Sequence, residues 1–227
     1  MKEVILMNNA IKCQDLFAFK SSLLTKVFND VIYPWEILPR LKAIIKGVVE
    51  AGIDGYERLG DGILIGRGAR IASSAKIEGP TIIGAGCEVR HCAYLRGGVL
   101  LGDGCVVGNS SEVKNSVLMD GAQAPHFNYV GDSVLGEGAH LGAGAVCSNL
   151  RSDGKAVTIH AEDGAVQTGL RKLGAILGDY AEIGCGSVLC PGTVIGKGTA
   201  VYPLTVTRGT YPSDSIVKDT RTVTKKR

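Results

Sequence analysis

Aromatic residues are scarce in this sequence. They make up 5% of its 227 residues, and tryptophan occurs once, as Trp35. A conventional β-sandwich or helical bundle would bury more of them, so we expect a core of Ile, Val, Leu and small residues. Long apolar runs are missing as well, since none reaches the ~18 residues that a membrane-spanning helix needs. The first residues become polar too soon for a signal peptide, and we therefore expect no membrane partner.

Neither sign of charge dominates the chain. The 25 Lys and Arg residues stand against 22 Asp and Glu residues, which leaves a formal net charge of +3. This excess is too small to predict a nucleic-acid partner. Hydrophobic residues are 45% and charged residues 21% of the chain. Both values are close to globular averages, so the composition argues against disorder.

The cysteines lack the spacing of a metal or redox motif. There are seven of them, and no C-x-x-C string occurs. An odd number without close pairs favours free thiols in a reducing compartment over a disulfide framework. We therefore expect a cytoplasmic protein.

Glycine is in excess, and it marks a repeat. The chain has 32 glycines, roughly twice the usual share of ~7%, without the period of three that collagen requires. From Ile65 onward a large aliphatic residue recurs at every sixth position, often followed by glycine, and a small or β-branched residue follows four positions later. The aliphatic series is Ile65, Ile71, Ile77, Ile83, Val89, Leu95, Leu101, Val107 and Val113, and it returns after a slip over residues 118–130 at Leu135, Leu141, Leu177, Ile183, Leu189, Ile195 and Val201. A period of six is typical of a three-sided coil of about 18 residues, so the sequence predicts an all-β parallel β-helix of roughly six coils, with Ile83 and Leu101 stacked inside.

The repeat does not cover the whole chain. Residues 1–60 lack it, and their apolar spacing predicts two helices, over residues 15–28 and 36–51. We interpret this domain as a cap on the first coil or an oligomerisation segment, with a substrate-binding lid as the alternative. The β-helix domain then spans residues 61–209, followed by a C-terminal tail over residues 210–227. Residues 148–175 interrupt the hexads, and their Asp-Gly turn signal predicts an inserted hairpin that reaches over a neighbouring groove.

Two basic residues and the four histidines are the candidates for binding or catalysis that the sequence suggests before any family is considered. Arg96 and Lys114 are eighteen residues apart, one full coil, so their side chains should lie one above the other. Stacked cations suit a phosphate group, whereas the alternative is two solvated surface charges. The four histidines are separated by 35, 14 and 20 residues. This spacing does not match the three-histidine zinc site of the carbonic anhydrase-like β-helices, so we expect no catalytic metal.

Specific strings add a family resemblance over residues 65–208. They are Glu112-Val113-Lys114, His126-Phe127-Asn128-Tyr129-Val130-Gly131-Asp132 and Gly142-Ala143-Gly144, followed by Asn149 and Lys155. With them the chain resembles the acetyltransferase domain of the bacterial bifunctional N-acetylglucosamine-1-phosphate uridyltransferase/glucosamine-1-phosphate acetyltransferase. The resemblance implies that the β-helix is left-handed. The uridyltransferase domain and its glycine-rich nucleotide motif are absent from the sequence, and residues 1–60 lie outside the resemblance.

The resemblance also implies roles for individual residues. His126 would be the general base that deprotonates the sugar amine. Asn149 would lie near the acetyl-CoA thioester and the reacting amine, and Cys185 stands where the family has a serine close to the thioester. The sugar phosphate would be held by four residues: Arg96, Lys114, Tyr129 and Lys155.

Two substitutions leave the acceptor open. His140 stands where the family has an asparagine that binds the sugar, and Leu150 stands where it has a tyrosine. His140 is therefore a further candidate for substrate binding, and it is the alternative base if His126 only stabilises the phase slip.

The resulting hypothesis is an acetyl-CoA-dependent N-acetyltransferase that acts on an amino-sugar phosphate such as glucosamine-1-phosphate. The resemblance implies a homotrimer with acetyl-CoA between neighbouring subunits. One alternative is an acyltransferase with a different amine or hydroxyl acceptor. The other is a β-helix that binds a sugar nucleotide without turnover.

Overall fold

The hexads fold into short strands joined by corners, and three strands close one coil. In a computed structural model, which describes residues 11–161, 164–219 and 222–226, the coils stack as a three-sided parallel β-helix. Ile83 pairs with Leu101 in the next coil, and both side chains are fully buried, as predicted. The predicted fold class, a left-handed parallel β-helix of hexapeptide repeats with a helical N-terminal segment and an inserted hairpin, is confirmed.

The three faces are numbered here in chain order, and the nth strand of each face belongs to coil n. Face 1 contains Ile63–Gly66, Thr81–Ile83, Val99–Leu101, Ser116–Leu118, Val134–Leu135, Ala175–Leu177, Thr193–Ile195 and Thr210–Tyr211. Face 2 contains Arg70–Ile71, Glu88–Val89, Val106–Asn109, Gln123–His126, His140–Leu141, Glu182–Ile183, Ala200–Val201 and Ser215–Val217. Face 3 contains Lys76–Glu78, Tyr94–Arg96, Glu112–Lys114, Tyr129–Gly131, Val146–Cys147, Val188–Leu189 and Val206–Thr207.

The β-helix is longer than its hexads suggested. The described residues form seven complete coils and two strands of an eighth, where about six coils were predicted, because the ladder continues through the slip in the repeat. Glu112 pairs with Tyr94, eighteen residues earlier, and with Tyr129, seventeen residues later. A corner can thus lose one residue while the strands stay paired. The predicted tail over residues 210–227 also needs correction, since Thr210–Tyr211 and Ser215–Val217 pair with strands of coil 7.

Antiparallel strands cover both ends of the β-helix. Tyr56–Arg58 pairs with the first strand of face 1, and Val223–Lys225 pairs with the last strand of face 2. Each end of a parallel stack presents unpaired backbone groups that invite aggregation, so these strands protect the edges. No helix within the described residues is long and apolar enough to cross a membrane.

The N-terminal helices cover face 1. They are α1 (Cys13–Leu16), α2 (Ser22–Val27), a 3-10 turn (Pro34–Ile37) and α3 (Leu41–Ala51). The helix predicted over residues 15–28 is divided in two, with Phe19 between the pieces at a backbone φ of +48°. α3 contacts the face 1 strands of coils 2 and 3 and shares a buried apolar cluster with them. The segment therefore covers a flat side of the β-helix, and the expectation that it caps the first coil is wrong.

The inserted hairpin packs on its own chain. Its strands are Thr158–Ala161 and Gly164–Gln167, and the turn residues 162–163 lie outside the described residues. Val157 and Ile159 are buried in the same apolar cluster as the outward side chains of face 1. The Thr210 hydroxyl donates a hydrogen bond of 3.0 Å to the carbonyl oxygen of His160. The hairpin therefore covers part of face 1 of its own subunit, and its reach over a neighbouring groove stays a prediction.

Candidate active site

A buried carboxylate organises the corner at which coil 4 leaves face 3. Asp132 adopts a backbone φ of +48° there, and Asn115 does the same one coil below with +46°. Asp and Asn are the residues other than glycine that enter this region most readily. The Asp132 carboxylate accepts hydrogen bonds from Lys114 Nζ at 3.1 Å, Asn115 Nδ2 at 2.9 Å and Asn149 Nδ2 at 2.5 Å. We call these four residues the Asp132 cluster.

Tyr129 joins this cluster from face 3. Its hydroxyl accepts a hydrogen bond of 3.2 Å from Asn149 Nδ2. The close approach requires Gly131, since a Cβ there would lie 2.6 Å from the Tyr129 oxygen and 2.7 Å from Asn149 Nδ2. Three of the predicted site residues, Lys114, Tyr129 and Asn149, are therefore brought together.

The basic pair is stacked, and each cation has an acidic partner. Glu112 and its neighbour pair with Tyr94 and Leu95, which places Lys114 one coil above Arg96. Arg96 Nη1 lies 2.7 Å from Glu112 Oε1, and this hydrogen bond raises the pKa of the guanidinium. Lys114 Nζ lies 3.1 Å from Asp132 Oδ2. The stacking is thus as predicted, but a phosphate bound here would share these cations with two carboxylates.

His126 lies at the other end of the face 3 strand, at the corner between faces 2 and 3. Its side chain is exposed, and its backbone N–H donates to Asn128 Oδ1 at 3.0 Å. Asn128 is buried, and its Nδ2 donates to the carbonyl oxygens of Gly142 at 2.8 Å and Ala145 at 3.2 Å. This side chain ties coil 4 to coil 5 and fixes the backbone beside the histidine. Within the described residues, no hydrogen bond joins the His126 ring to the Asp132 cluster.

The corner between faces 2 and 3 aligns His126 with Cys185. The carbonyl oxygen of His126 accepts the N–H of Gly144, and the carbonyl oxygen of Ala143 accepts the N–H of Gly186. Cys185 therefore lies two coils above His126 in one column, about 10 Å away at the usual strand spacing. Its side chain is exposed.

The two remaining candidates lie apart from the Asp132 cluster. His140 is on face 2, where its Nδ1 lies 3.0 Å from Glu182 Oε2 in the next coil. Lys155 is exposed in the insertion, and its backbone N–H donates to Asp153 Oδ1 at 3.2 Å. The structure therefore does not bring these two side chains to Lys114, Tyr129 and Asn149.

Sequence reasoning assigned no role to three residues that build the site. Asp132, Asn115 and Asn128 make the hydrogen bonds that fix its two corners. Asn128 and Asp132 both lie in the string that carried the family resemblance. For Asn115 and Asp132 the usable signal was the residue type at a corner, since Asn and Asp tolerate positive φ. Among the described residues, no three His, Cys, Asp or Glu side chains are grouped closely enough to hold a metal ion.

Comparisons with known proteins show what the chain is similar to. A family model described as the GMPPB C-terminal domain matches residues 77–171. The chain is 37% identical over 205 residues to a bifunctional protein GlmU of Methanococcus maripaludis, a match that covers 88% of this chain and 50% of the relative. It is 35% identical over 151 residues to an acetyltransferase, YaiX, of Escherichia coli, with 66% of both chains covered.

Among solved structures, the N-acyltransferase AntD of Bacillus cereus was determined with dTDP-4-amino-4,6-dideoxyglucose and coenzyme A. It is 18% identical to this chain, with a TM-score of 0.42 and coverage of 73% of this chain and 86% of that one. The chain spans half or less of the length of the first curated relatives it matches. The resemblance to the acetyltransferase part of the bifunctional sugar-phosphate enzymes is confirmed.

Proposed function

We propose that this chain, whose β-helix resembles the acetyltransferase part of bifunctional sugar-1-phosphate nucleotidylyltransferase/acetyltransferases, is an acetyl-CoA-dependent N-acetyltransferase. Its acceptor is the amine of an amino-sugar phosphate such as glucosamine-1-phosphate. One observation carries the proposal: coil 4 presents an exposed histidine at one corner and Asp132 at the other, where Lys114 of coil 3, Tyr129 of coil 4 and Asn149 of coil 5 come together. The similarity to the GlmU proteins supports the same assignment.

The acceptor attacks as the neutral amine, the minor form near neutral pH, and it must lose one further proton as the amide forms, so the reaction needs a base. His126 accepts the proton as the amine attacks the thioester carbonyl, and it then returns the proton to the sulfur of departing coenzyme A. Its exposed ring can meet a substrate, and Asn128 fixes its backbone. Asn149, or a backbone N–H group, stabilises the tetrahedral oxyanion.

The phosphate is bound by charge. Arg96 and Lys114 are stacked on face 3, and Tyr129 supplies a hydroxyl beside them. Lys155 is exposed in the insertion, and it joins the other three phosphate-binding side chains when the insertion or a neighbouring subunit brings it near the phosphate. Cys185 lies in the column of His126, which suits the place proposed for it beside the thioester. His140 serves as a contact to the sugar only if it leaves Glu182.

The assembly and location belong to the same proposal. Several large apolar side chains are exposed along face 3 and at its corner with face 2, notably Phe127 at 63%, Leu204 at 83% and Val206 at 50%. A homotrimer would cover such a surface, and acetyl-CoA would bind between its subunits. All seven cysteines are free, which is consistent with the reducing cytoplasm.

A panel of acceptors tests the proposal. Release of the coenzyme A thiol is measured with acetyl-CoA and, in turn, glucosamine-1-phosphate, unphosphorylated glucosamine, a nucleotide-linked amino sugar and a hydroxyl acceptor. We expect turnover with the sugar phosphate and at least ~10-fold less without the phosphate, as the loss of a charged hydrogen bond implies. Turnover only with another acceptor would support the second candidate, which His140 and Leu150 favour. Binding without turnover of any acceptor would contradict an enzymatic role.

A further inference from the structure

A second group of reactive side chains lies two coils below His126, at the corner between faces 2 and 3. Cys92 Sγ lies 3.2 Å from His91 Nε2, and His91 Nδ1 lies 2.7 Å from Ser74 Oγ. All three side chains are exposed. We call these residues the Cys92 triad; it shares no residue with the Asp132 cluster.

Ser74 positions the histidine ring. Ser74 Oγ accepts the backbone N–H of Cys92 at 3.2 Å and lies 2.7 Å from His91 Nδ1, so the hydroxyl holds the ring beside the thiol. The serine hydroxyl can donate to Nδ1 or accept from it. In the tautomer whose proton is on Nδ1, Nε2 faces the thiol as an acceptor. This is the arrangement of nucleophile, base and orienting group that activates a weak nucleophile.

The other thiols of the chain lack this arrangement. Cys13, Cys87, Cys105 and Cys147 are buried, and burial raises the pKa of both Cys13 and Cys147 to about 12. Cys185 is exposed and Cys190 is half-buried, but no hydrogen bond to either sulfur is made by any described residue. Because the thiolate is the reactive form, exposure combined with a base sets Cys92 apart.

The surface beside the triad is positively charged. A groove of about 370 Å³ borders His91 and is lined by Arg70, Arg90 and Glu88 among others. Both arginines pair with the single carboxylate of Glu88. Two guanidinium groups against one carboxylate leave an excess positive charge, which attracts anionic reactants.

We propose that Cys92 is a modification site at which the thiol exchanges with small anionic disulfides, with His91 as its base and Ser74 as a positioning residue. The thiol proton passes to His91 Nε2, and the thiolate attacks one sulfur of the disulfide. A bond forms between Cys92 and that sulfur while the bond between the two reagent sulfurs breaks. The departing thiolate takes the proton from His91, so Cys92 is oxidised and the released thiol is reduced.

The test uses the full chain and oxidised glutathione as the probe. The initial rate of mixed-disulfide formation at each cysteine is measured by peptide mass spectrometry. We expect Cys92 to react at least ~10-fold faster than Cys185, and His91→Gln to remove most of this advantage while the Cys185 rate stays unchanged. Cys185 is the exposed reference thiol, and the four buried cysteines are the control for folding, since a general loss of structure would expose them and raise their rates.

A second variant tests the charge. Arg90→Gln should lower the rate with oxidised glutathione several-fold and leave the rate with uncharged hydroxyethyl disulfide nearly the same. Equal rates at Cys92 and Cys185, or an unchanged Cys92 rate in His91→Gln, would overturn the proposal. So would an equal effect of Arg90→Gln on both disulfides.

Discussion

Replacing Asp132 by Asn should lower the free energy of unfolding substantially. Asn has the same shape and tolerates the positive φ of this corner, so the change mainly removes the charge. Three donors, on Lys114, Asn115 and Asn149, then share one neutral acceptor oxygen. The side chains of Asp132 and Lys114 are only 7% and 21% exposed, so water cannot replace the lost interaction fully. Hydrogen bonds to charged groups contribute about 1.5–3 kcal/mol, and a half-broken buried ion pair costs more, so we expect a loss of about 2–4 kcal/mol.

The loss is measured by equilibrium unfolding in urea at one protein concentration. Circular dichroism reports on the β-helix, and the fluorescence of Trp35, which is buried in the N-terminal segment, reports on the cover of face 1. The matched control is Asp30→Asn, which breaks an exposed ion pair of 2.8 Å with Arg40. Such a pair contributes only about 0–1 kcal/mol. If Asp132→Asn is no more destabilising than Asp30→Asn, the Asp132 cluster does not stabilise the corner.

Three further predictions follow from other parts of the structure. Gly108→Ala should lower the free energy of unfolding by about 3 kcal/mol, because a Cβ there would lie 1.6 Å from the Pro125 carbonyl oxygen. Its control is Gly47→Ala in α3, where a Cβ meets no atom within 4 Å, and this change should raise the free energy of unfolding by about 0.5–1 kcal/mol. Burial raises the pKa of Asp120 above its unfolded value, so the native state loses stability as pH rises through that pKa. Asp120→Asn should therefore gain stability relative to wild type as pH rises from about 4, and parallel pH profiles of the two proteins would contradict this. Lys114→Met should raise KM for the sugar phosphate by about 10-fold or more and leave KM for acetyl-CoA unchanged. An equal rise in both KM values would place Lys114 outside the phosphate site.

The repeat was predictable from the sequence because each hexad forms the same local structure. Buried residues such as Ile83 and Leu101 recur at fixed spacing, and one coil predicts the next. The slip in the repeat concealed coil 4, since the steps from coil 3 to coil 4 and from coil 4 to coil 5 each take seventeen residues, whereas the first two steps take eighteen. Spacing alone does not show that a corner can lose a residue while the ladder continues.

The location of the helices and of the hairpin was not predictable in the same way. Both have apolar sides, and a sequence does not say which surface covers such a side. The outward residues of face 1 are apolar, as Ile82 and Leu100 show, and this unusual outer face receives both segments. The apolar centre of each face 1 strand was the available signal, because an exposed strand would alternate with polar residues.

Parts of the candidate site followed from the motif, and others needed the fold. The motif named Lys114, Tyr129 and Asn149, which the structure brings together. It also suggested His140 as a neighbour, but the alternation of strand residues turns this side chain outward on face 2, toward Glu182. A sequence alignment does not show on which face of the β-helix a residue near a corner lies.

The most direct test of the account compares two histidine variants in the formation of the N-acetylated sugar phosphate. With saturating acetyl-CoA and glucosamine-1-phosphate, His126→Ala should lower turnover by about 10²–10⁴-fold, the usual contribution of a positioned base, while acetyl-CoA binding is retained. His140→Asn should keep most of the activity, since its ring is engaged with Glu182. If His126→Ala instead lowers only the melting temperature and His140→Asn abolishes turnover, His126 is a structural residue and the base has been misassigned.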